Sequence, residues 1–228
     1  MKNRTVFSVG LLLIPVVCAA LAQAGYGYWV HVAVPIACAL IIGFLSRKEV
    51  RRTKWLLIAA LAFSIAGDRI LKHRGEDVLL FVYGIVLFFI AHVGFLAFCL
   101  KNGKIQWRFL IVLAVGYGLF FALKLMPSIT DPLLSAAVLL YMLISCFSLA
   151  AAAGLRFSLP ARWLFTAGIA CIVFSDTLIA CCEFLHACGL YHSLMMPTYY
   201  AAHILITAAV IGNLSNNKTK NRKEEIKS

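Results

Sequence analysis

Residues 163–184 read Trp163-Leu164-Phe165-Thr166-Ala167-Gly168-Ile169-Ala170-Cys171-Ile172-Val173-Phe174-Ser175-Asp176-Thr177-Leu178-Ile179-Ala180-Cys181-Cys182-Glu183-Phe184. A run of this length crosses a bilayer as a helix, which needs about 20 mostly apolar residues. Asp176 sits well inside it. A carboxylate in hydrocarbon costs about 2.5–3.5 kcal/mol on insertion scales, so it marks a functional site unless neighbouring helices merely pair it off. The stretch Leu61-Ala62-Phe63-Ser64-Ile65-Ala66-Gly67-Asp68 repeats the arrangement, with a second acid in apolar surroundings.

Working outward from these two stretches, the whole chain has the same character. Its 228 residues are 63% hydrophobic and 13% charged, against about 45–50% and about 25% in soluble globular domains. Apolar segments run over 6–23, 29–45, 55–71, 77–100, 107–125, 132–153, 163–184 and 195–214. Strand-like alternation is absent, which argues against a membrane barrel. The expected fold is all-α: one transmembrane domain of eight helices over residues 1–212, then a basic, frayed cytoplasmic tail over 213–228.

The net charge of +12 orients the chain and is not a nucleic-acid footprint. With the N-terminus in the cytoplasm, 17 of the 21 Lys and Arg residues fall on the inner side, leaving Arg69, Lys72, Arg74 and Lys124 outside. An even number of spans with both termini inside satisfies the positive-inside rule. Met1-Lys2-Asn3-Arg4, an apolar run and Ala22-Gln23-Ala24 imitate a signal peptide, but the run is long for one and is read as a retained first helix. Of the eight cysteines, Cys18, Cys38, Cys99, Cys146 and Cys171 read as small buried hydrophobes. Cys181, Cys182 and Cys188 lie near the outer face, and an oxidised pair among them is not the expectation.

Asp68 lies 14 residues beyond Lys54 and Asp176 lies 14 beyond Arg162. That puts both about 21 Å from the inner surface, at the equal depth a facing pair needs. Ala91-His92 and Ala202-His203 recur four helices apart, as the aspartates do. The matches suggest a parallel four-plus-four internal repeat. Glu183 shares a helix face with Asp176, about 10 Å nearer the outer surface. Two carboxylates in dry surroundings can divide into a protonated acid and a charged partner.

Supporting groups would be His92, His203, Tyr199, Tyr200 and Ser64, and each has a plainer reading. A membrane histidine often only bonds a neighbouring helix, paired tyrosines often belong to the aromatic belt, and Ser64 lacks a Gly-x-Ser-x-Gly context. Tyr83 and Tyr141 are further hydroxyls for a pocket, or bundle packing. Arg69, Lys72 and His73 could hold a phosphate at the interface or simply snorkel to water. Two histidines and two aspartates are a permissible zinc set, yet no His-Glu-x-x-His motif supports a metal.

Phe63-Ser64-x-x-Gly67-Asp68, Ala91-His92, Phe174-Ser175-Asp176-Thr177-Leu178-Ile179-Ala180 and Thr198-Tyr199-Tyr200-Ala201-Ala202 together resemble the YhhN-like family of eight-helix membrane proteins, which includes the lysoplasmalogenases. The resemblance spans roughly residues 8–212. It places the family's acidic motifs on Asp68 and Asp176, its helix-four histidine on His92 and its paired tyrosines on Tyr199 and Tyr200. Arg69 and His203 depart from the family pattern, where an apolar residue and a glutamine are common.

The resemblance implies hydrolysis of the vinyl ether bond of a lysophospholipid substrate, drawn from membrane lipid, with no metal or organic cofactor and no obligate protein partner. Vinyl ether cleavage needs a proton donor and a nearby negative charge, the division of labour glycosidases give two carboxylates. One aspartate would be the acid and the other the stabiliser. Arg69 and Lys72 would hold the phosphate, in a bacterial cytoplasmic membrane. Two rival readings use the same residues: a proton-coupled transporter with the aspartates as relay, and a metal-dependent intramembrane lipid hydrolase.

Overall fold

A computed structural model describes residues 10–45, 52–186 and 188–225. The basic positions Lys2, Arg4, Arg47, Lys48, Arg51 and Lys227, and the start of the first apolar segment, lie outside the described residues. Eight helices follow one another among the described residues: α1 Leu13–Gln23, α2 Tyr28–Leu45, α3 Lys54–His73, α4 Val78–Asn102, α5 Trp107–Phe120, α6 Pro132–Ala152, α7 Leu159–Leu185 and α8 Gly189–Glu225. Helix α5 continues into a wider π-helical turn, Phe121–Leu125, and then a tighter 3-10 turn, Met126–Ser128.

Five described stretches are long and apolar enough to cross a membrane: Val78–Asn102, Trp107–Ser128, Pro132–Ala152, Leu159–Leu185 and Ser193–Asn213. These are the helices of an integral membrane protein. Leu13–Gln23 and Trp29–Leu45 are equally apolar but shorter. Helix α3 carries Lys54, Asp68, Arg69 and Lys72 within 20 residues, so it leans on its neighbours to keep the acid from lipid.

The helix starts are capped where the chain turns. Asp77 accepts from the backbone N–H of Leu79 at 2.8 Å and of Leu80 at 3.0 Å, opening α4. Asp131 accepts from Leu134 at 2.9 Å, with Pro132 in the first turn of α6. Both caps satisfy donors that have no partner within the helix.

Helix α3 packs on α4 and α7 on α8, and contacts of α4 with α6, α6 with α7, α2 with α3 and α2 with α8 close a ring. Helix α1 lies outside against α2 and α8, and α5 outside against α6. Close approach of α7 to α8 depends on Gly168, where an added Cβ would come within 2.9 Å of the Ala202 carbonyl. Small residues let membrane helices meet at backbone distance. At one end, the connections after α4 and α6 knit together through Lys104 N–H to the Gly154 carbonyl (3.1 Å) and Arg156 N–H to the Asn102 carbonyl (2.9 Å). Any side chain at Gly154 would collide with the Lys104 carbonyl.

Three features differ from the sequence expectations. Helix α8 begins at Gly189, ahead of the apolar segment expected from 195, so Pro197 lies inside it. The hydroxyls of Thr198 and Ser175 donate to the carbonyls of Leu194 and Met195 in the turn that this proline disturbs. The same helix runs on to Glu225, where a frayed tail was expected from 213. Cys182 and Cys188 form a disulfide. The left-handed backbone of His186 (φ 52°) ends α7 and turns the chain back, bringing the two Cα atoms to 4.4 Å.

Candidate active site

Helices α4, α6 and α7 build the environment of Asp176. The Tyr141 hydroxyl on α6 donates to its Oδ2 at 2.5 Å. His92 on α4 is 1% exposed and directs Nε2 at the same oxygen from 3.6 Å, with no hydrogen-bond partner on that nitrogen. The Tyr141 and His92 rings meet edge to face at 5.4 Å. On the other side of the imidazole, Nδ1 lies 2.7 Å from the Ser148 hydroxyl.

That serine fixes the tautomer. Its hydroxyl donates to the Ser145 carbonyl at 2.9 Å, and a carbonyl can only accept. Ser148 must therefore accept from the imidazole, which places a proton on Nδ1. Nε2 is left to take a proton from the Asp176 side or return one to it. Tyr141, Ser145 and Ser148 recur three and four residues apart, a polar stripe down one face of an apolar helix.

Asp68 has a matching arrangement with different partners. The Tyr199 hydroxyl donates to its Oδ2 at 2.6 Å. Behind Tyr199 the ring of His203 packs edge to face at 4.3 Å, fully buried and with neither nitrogen hydrogen-bonded. Tyr200 points elsewhere, to His31 on α2. Asp68 and Asp176 lie within electrostatic reach of each other, and each also acts on the other's tyrosine. Each acid of the sequence motifs is thus held by a tyrosine from another helix, and the two act on each other electrostatically.

An apolar pocket opens beside Asp176. Phe81, Ile85 and Phe88 of α4, Phe120 and Leu125 of the α5 segment, Val138 and Met142 of α6, and Val173 and Phe184 of α7 line it, with Leu71 of α3. Its polar groups are few: Asp176, Tyr141, Ser145, Tyr117 and Thr177. Tyr117 bonds Thr177 across the α5–α7 wall at 3.1 Å. Asp176 lines this pocket and Asp68 does not. A cavity that is apolar along its length and acidic at one point suits a long hydrocarbon chain attached to a group that needs a proton.

Other candidates fall away from this centre. Ser64 is buried one turn before Asp68, and Ser175 is tied to the α8 backbone. Glu183 does not line the pocket, because Arg74 engages it at 2.5 Å. Arg69 and Lys72 are exposed at the end of α3, and Tyr83 is half exposed on α4. Ser148 and the Arg74–Glu183 pair were not singled out from sequence; the stripe through Tyr141, Ser145 and Ser148 was the available signal for the first. Among the described residues no three His, Cys, Asp or Glu side chains converge as metal ligands do.

A bundle of apolar helices enclosing two interacting carboxylates defines the class: an α-helical membrane protein with an intramembrane acidic site. The sequence model of the YhhN family matches residues 27–210, a span that includes both aspartates, His92 and both tyrosines. The chain belongs to the YhhN family. No solved structure matches it.

Proposed function

We propose that this protein is a lysoplasmalogenase, an ether hydrolase that cleaves the vinyl ether bond of lysoplasmenylethanolamine or lysoplasmenylcholine. The products are a fatty aldehyde and glycerophosphoethanolamine or glycerophosphocholine. The observation that carries the reading is the pocket itself: apolar along its length, with Asp176 in its wall, held by Tyr141 and faced by His92.

The alkenyl chain lies against the apolar lining around Val173, Phe88 and Met142, placing its double bond beside Asp176. Asp176 in its acid form gives a proton to the alkene carbon one removed from the ether carbon. The alkene π electrons form the new C–H bond, and the ether oxygen shares the positive charge as an oxocarbenium ion. Negative charge from the carboxylate pair stabilises that cation, more strongly in a dry site than in water. Water adds to the ether carbon and loses its proton to the Asp176–His92 couple. The hemiacetal then collapses: the glycerol oxygen takes a proton from the Asp176–His92 couple as its bond to carbon breaks, and the hydroxyl returns its proton to the couple as the carbonyl forms. One water is consumed, and no oxidant or reductant is needed. Tyr199 holds Asp68 in place behind this centre. The charge distribution of the chain supports an orientation with both termini on the cytoplasmic side of the membrane.

The test is aldehyde release by the purified chain in detergent. A lysoplasmalogen should yield aldehyde continuously, while the saturated ether lipid of the same chain length, which has no alkene to protonate, should yield none. Equal release from both, or release from neither by folded protein, would overturn the reading.

A further inference from the structure

Helix α3 ends at His73, and the chain turns through Gly75 (φ 56°) before Asp77 opens α4. In this turn Arg74 reaches across to α7. Its Nη2 donates to Glu183 Oε2 at 2.5 Å, and its guanidinium carbon lies 4.3 Å from the centre of the Phe81 ring. Phe81 and Phe184 pack with centroids 5.9 Å apart, and both line the apolar pocket. The ion pair therefore stands over the aromatic end of the pocket. Its side chains are 18% and 33% exposed, open enough to meet a ligand.

The spacing from the acid is informative. Glu183 is seven residues beyond Asp176 on α7, on the same helix face and about 10 Å along the axis. In a lysoplasmalogen, seven bonds separate the protonated alkene carbon from phosphorus. Three bonds of an extended chain span about 3.8 Å, so seven reach about 9 Å on the same scale. A substrate with its double bond at Asp176 and its glycerol turned toward this end carries its phosphate to the level of Glu183, which Arg74 engages.

We infer that Arg74 and Glu183 form a head-group subsite for a zwitterionic phosphoethanolamine; the substrate alignment rests on the hydrolase reading above. The guanidinium has five N–H donors and keeps most of them for phosphate oxygens, which it binds as a fork. Glu183 retains acceptor capacity for the N–H groups of a primary ammonium. Guanidinium, carboxylate, phosphate and ammonium then alternate in sign. A trimethylated ammonium has no N–H to give, and Arg74 already covers the Phe81 face that would otherwise attract it. The subsite therefore favours ethanolamine over choline. It falls on Arg74 and Glu183, not on Arg69 and Lys72.

The test measures binding, so that it stands apart from hydrolysis. Dissociation constants of the full chain in detergent are measured for three saturated ether lipids of one chain length: alkyl-glycerophosphoethanolamine, alkyl-glycerophosphocholine and alkylglycerol. The wild type should bind the phosphoethanolamine lipid at least tenfold tighter than alkylglycerol. Arg74→Gln should remove at least tenfold of that advantage, and Glu183→Gln should remove the preference for ethanolamine over choline while keeping the preference for phosphate. Where Arg74→Gln does not fold, Arg74→Lys carries the test, since it keeps the charge and loses the fork; it should cost at least threefold in the same ratio. Equal loss for all three lipids in these variants, or no head-group preference in the wild type, would overturn the subsite and leave the pair as a tie between α3 and α7. Failure of the hydrolase reading would show separately, as absence of aldehyde from the alkenyl lipid.

Discussion

Asp176→Asn is expected to lower kcat for aldehyde release by about a thousandfold, within the range of about 10²–10⁴ that a positioned acid or base contributes. The substitution is nearly isosteric, and the amide oxygen still accepts from Tyr141, whose bond to Oδ2 is 2.5 Å in the native chain. The bundle should therefore keep its fold, and the pocket lined by Phe81, Phe88 and Val138 should keep its affinity for the hydrocarbon chain. What disappears is the acidic proton beside the alkene and the group that exchanges protons with His92 Nε2. KM should change by less than about threefold, because an interaction made in the transition state is lost while chain binding is kept. Steady-state kinetics on detergent-purified variant, with its elution profile as the check on folding, decide the matter. A variant retaining more than a tenth of wild-type turnover would remove Asp176 from the role of acid.

Asp68→Asn is expected to lower kcat by about a hundredfold, again with little effect on KM. Asp68 is outside the pocket wall, so its contribution is carried by charge, which acts over the separation between the two acids. Removing one preorganised electrostatic group from a dry site commonly costs about 10²–10³ in rate. The Asn side chain still accepts from Tyr199, so the α3–α8 contact at 2.6 Å survives. The contrast between the variants is diagnostic: an acid that touches the alkene and a charge that acts from behind it should differ in magnitude. If Asp68→Asn is fully active, the second carboxylate is packing glue, and the reaction runs on the Asp176–His92 couple alone.

The helices and both acids could be read directly from the sequence, since apolar runs of spanning length and a charge within them each have one dominant physical meaning. His92 and Tyr199, which reach Asp176 and Asp68 in the structure, were singled out by motif and spacing. The partner of Asp176 was harder. Tyr141 and Ser148 come from α6, and their approach to His92 on α4 depends on how non-consecutive helices meet, which no local pattern encodes. One hydroxyl on an apolar helix suits packing as readily as a pocket, but the stripe Tyr141 forms with Ser145 and Ser148 carries more information than the single residue.

Arg74 shows a different limit. It belonged to a cluster of cations at the end of α3 whose helical spacing favoured Arg69, Lys72 and His73 as one face. Arg74, the residue that ends α3, lies off that face and reaches Glu183 instead. The disulfide between Cys182 and Cys188 depends on a chain reversal at one left-handed residue, His186. Pro197 fitted the opening of a helix by its usual preference, whereas hydroxyls from Thr198 and Ser175 let α8 start two turns earlier. In each case a local rule was overridden by a bond from another part of the chain.

The most direct test of the central claim is the isotope content of the aldehyde. The purified chain is allowed to hydrolyse a lysoplasmalogen in D₂O, the aldehyde is reduced as it forms, and the resulting alcohol is analysed by mass spectrometry. Free aldehyde incubated with the protein in D₂O corrects for exchange. Protonation of the alkene by the Asp176 site predicts one deuterium at the carbon next to the former aldehyde carbon. Alcohol lacking that deuterium would contradict the mechanism, because the carbon would then have received its hydrogen by another route.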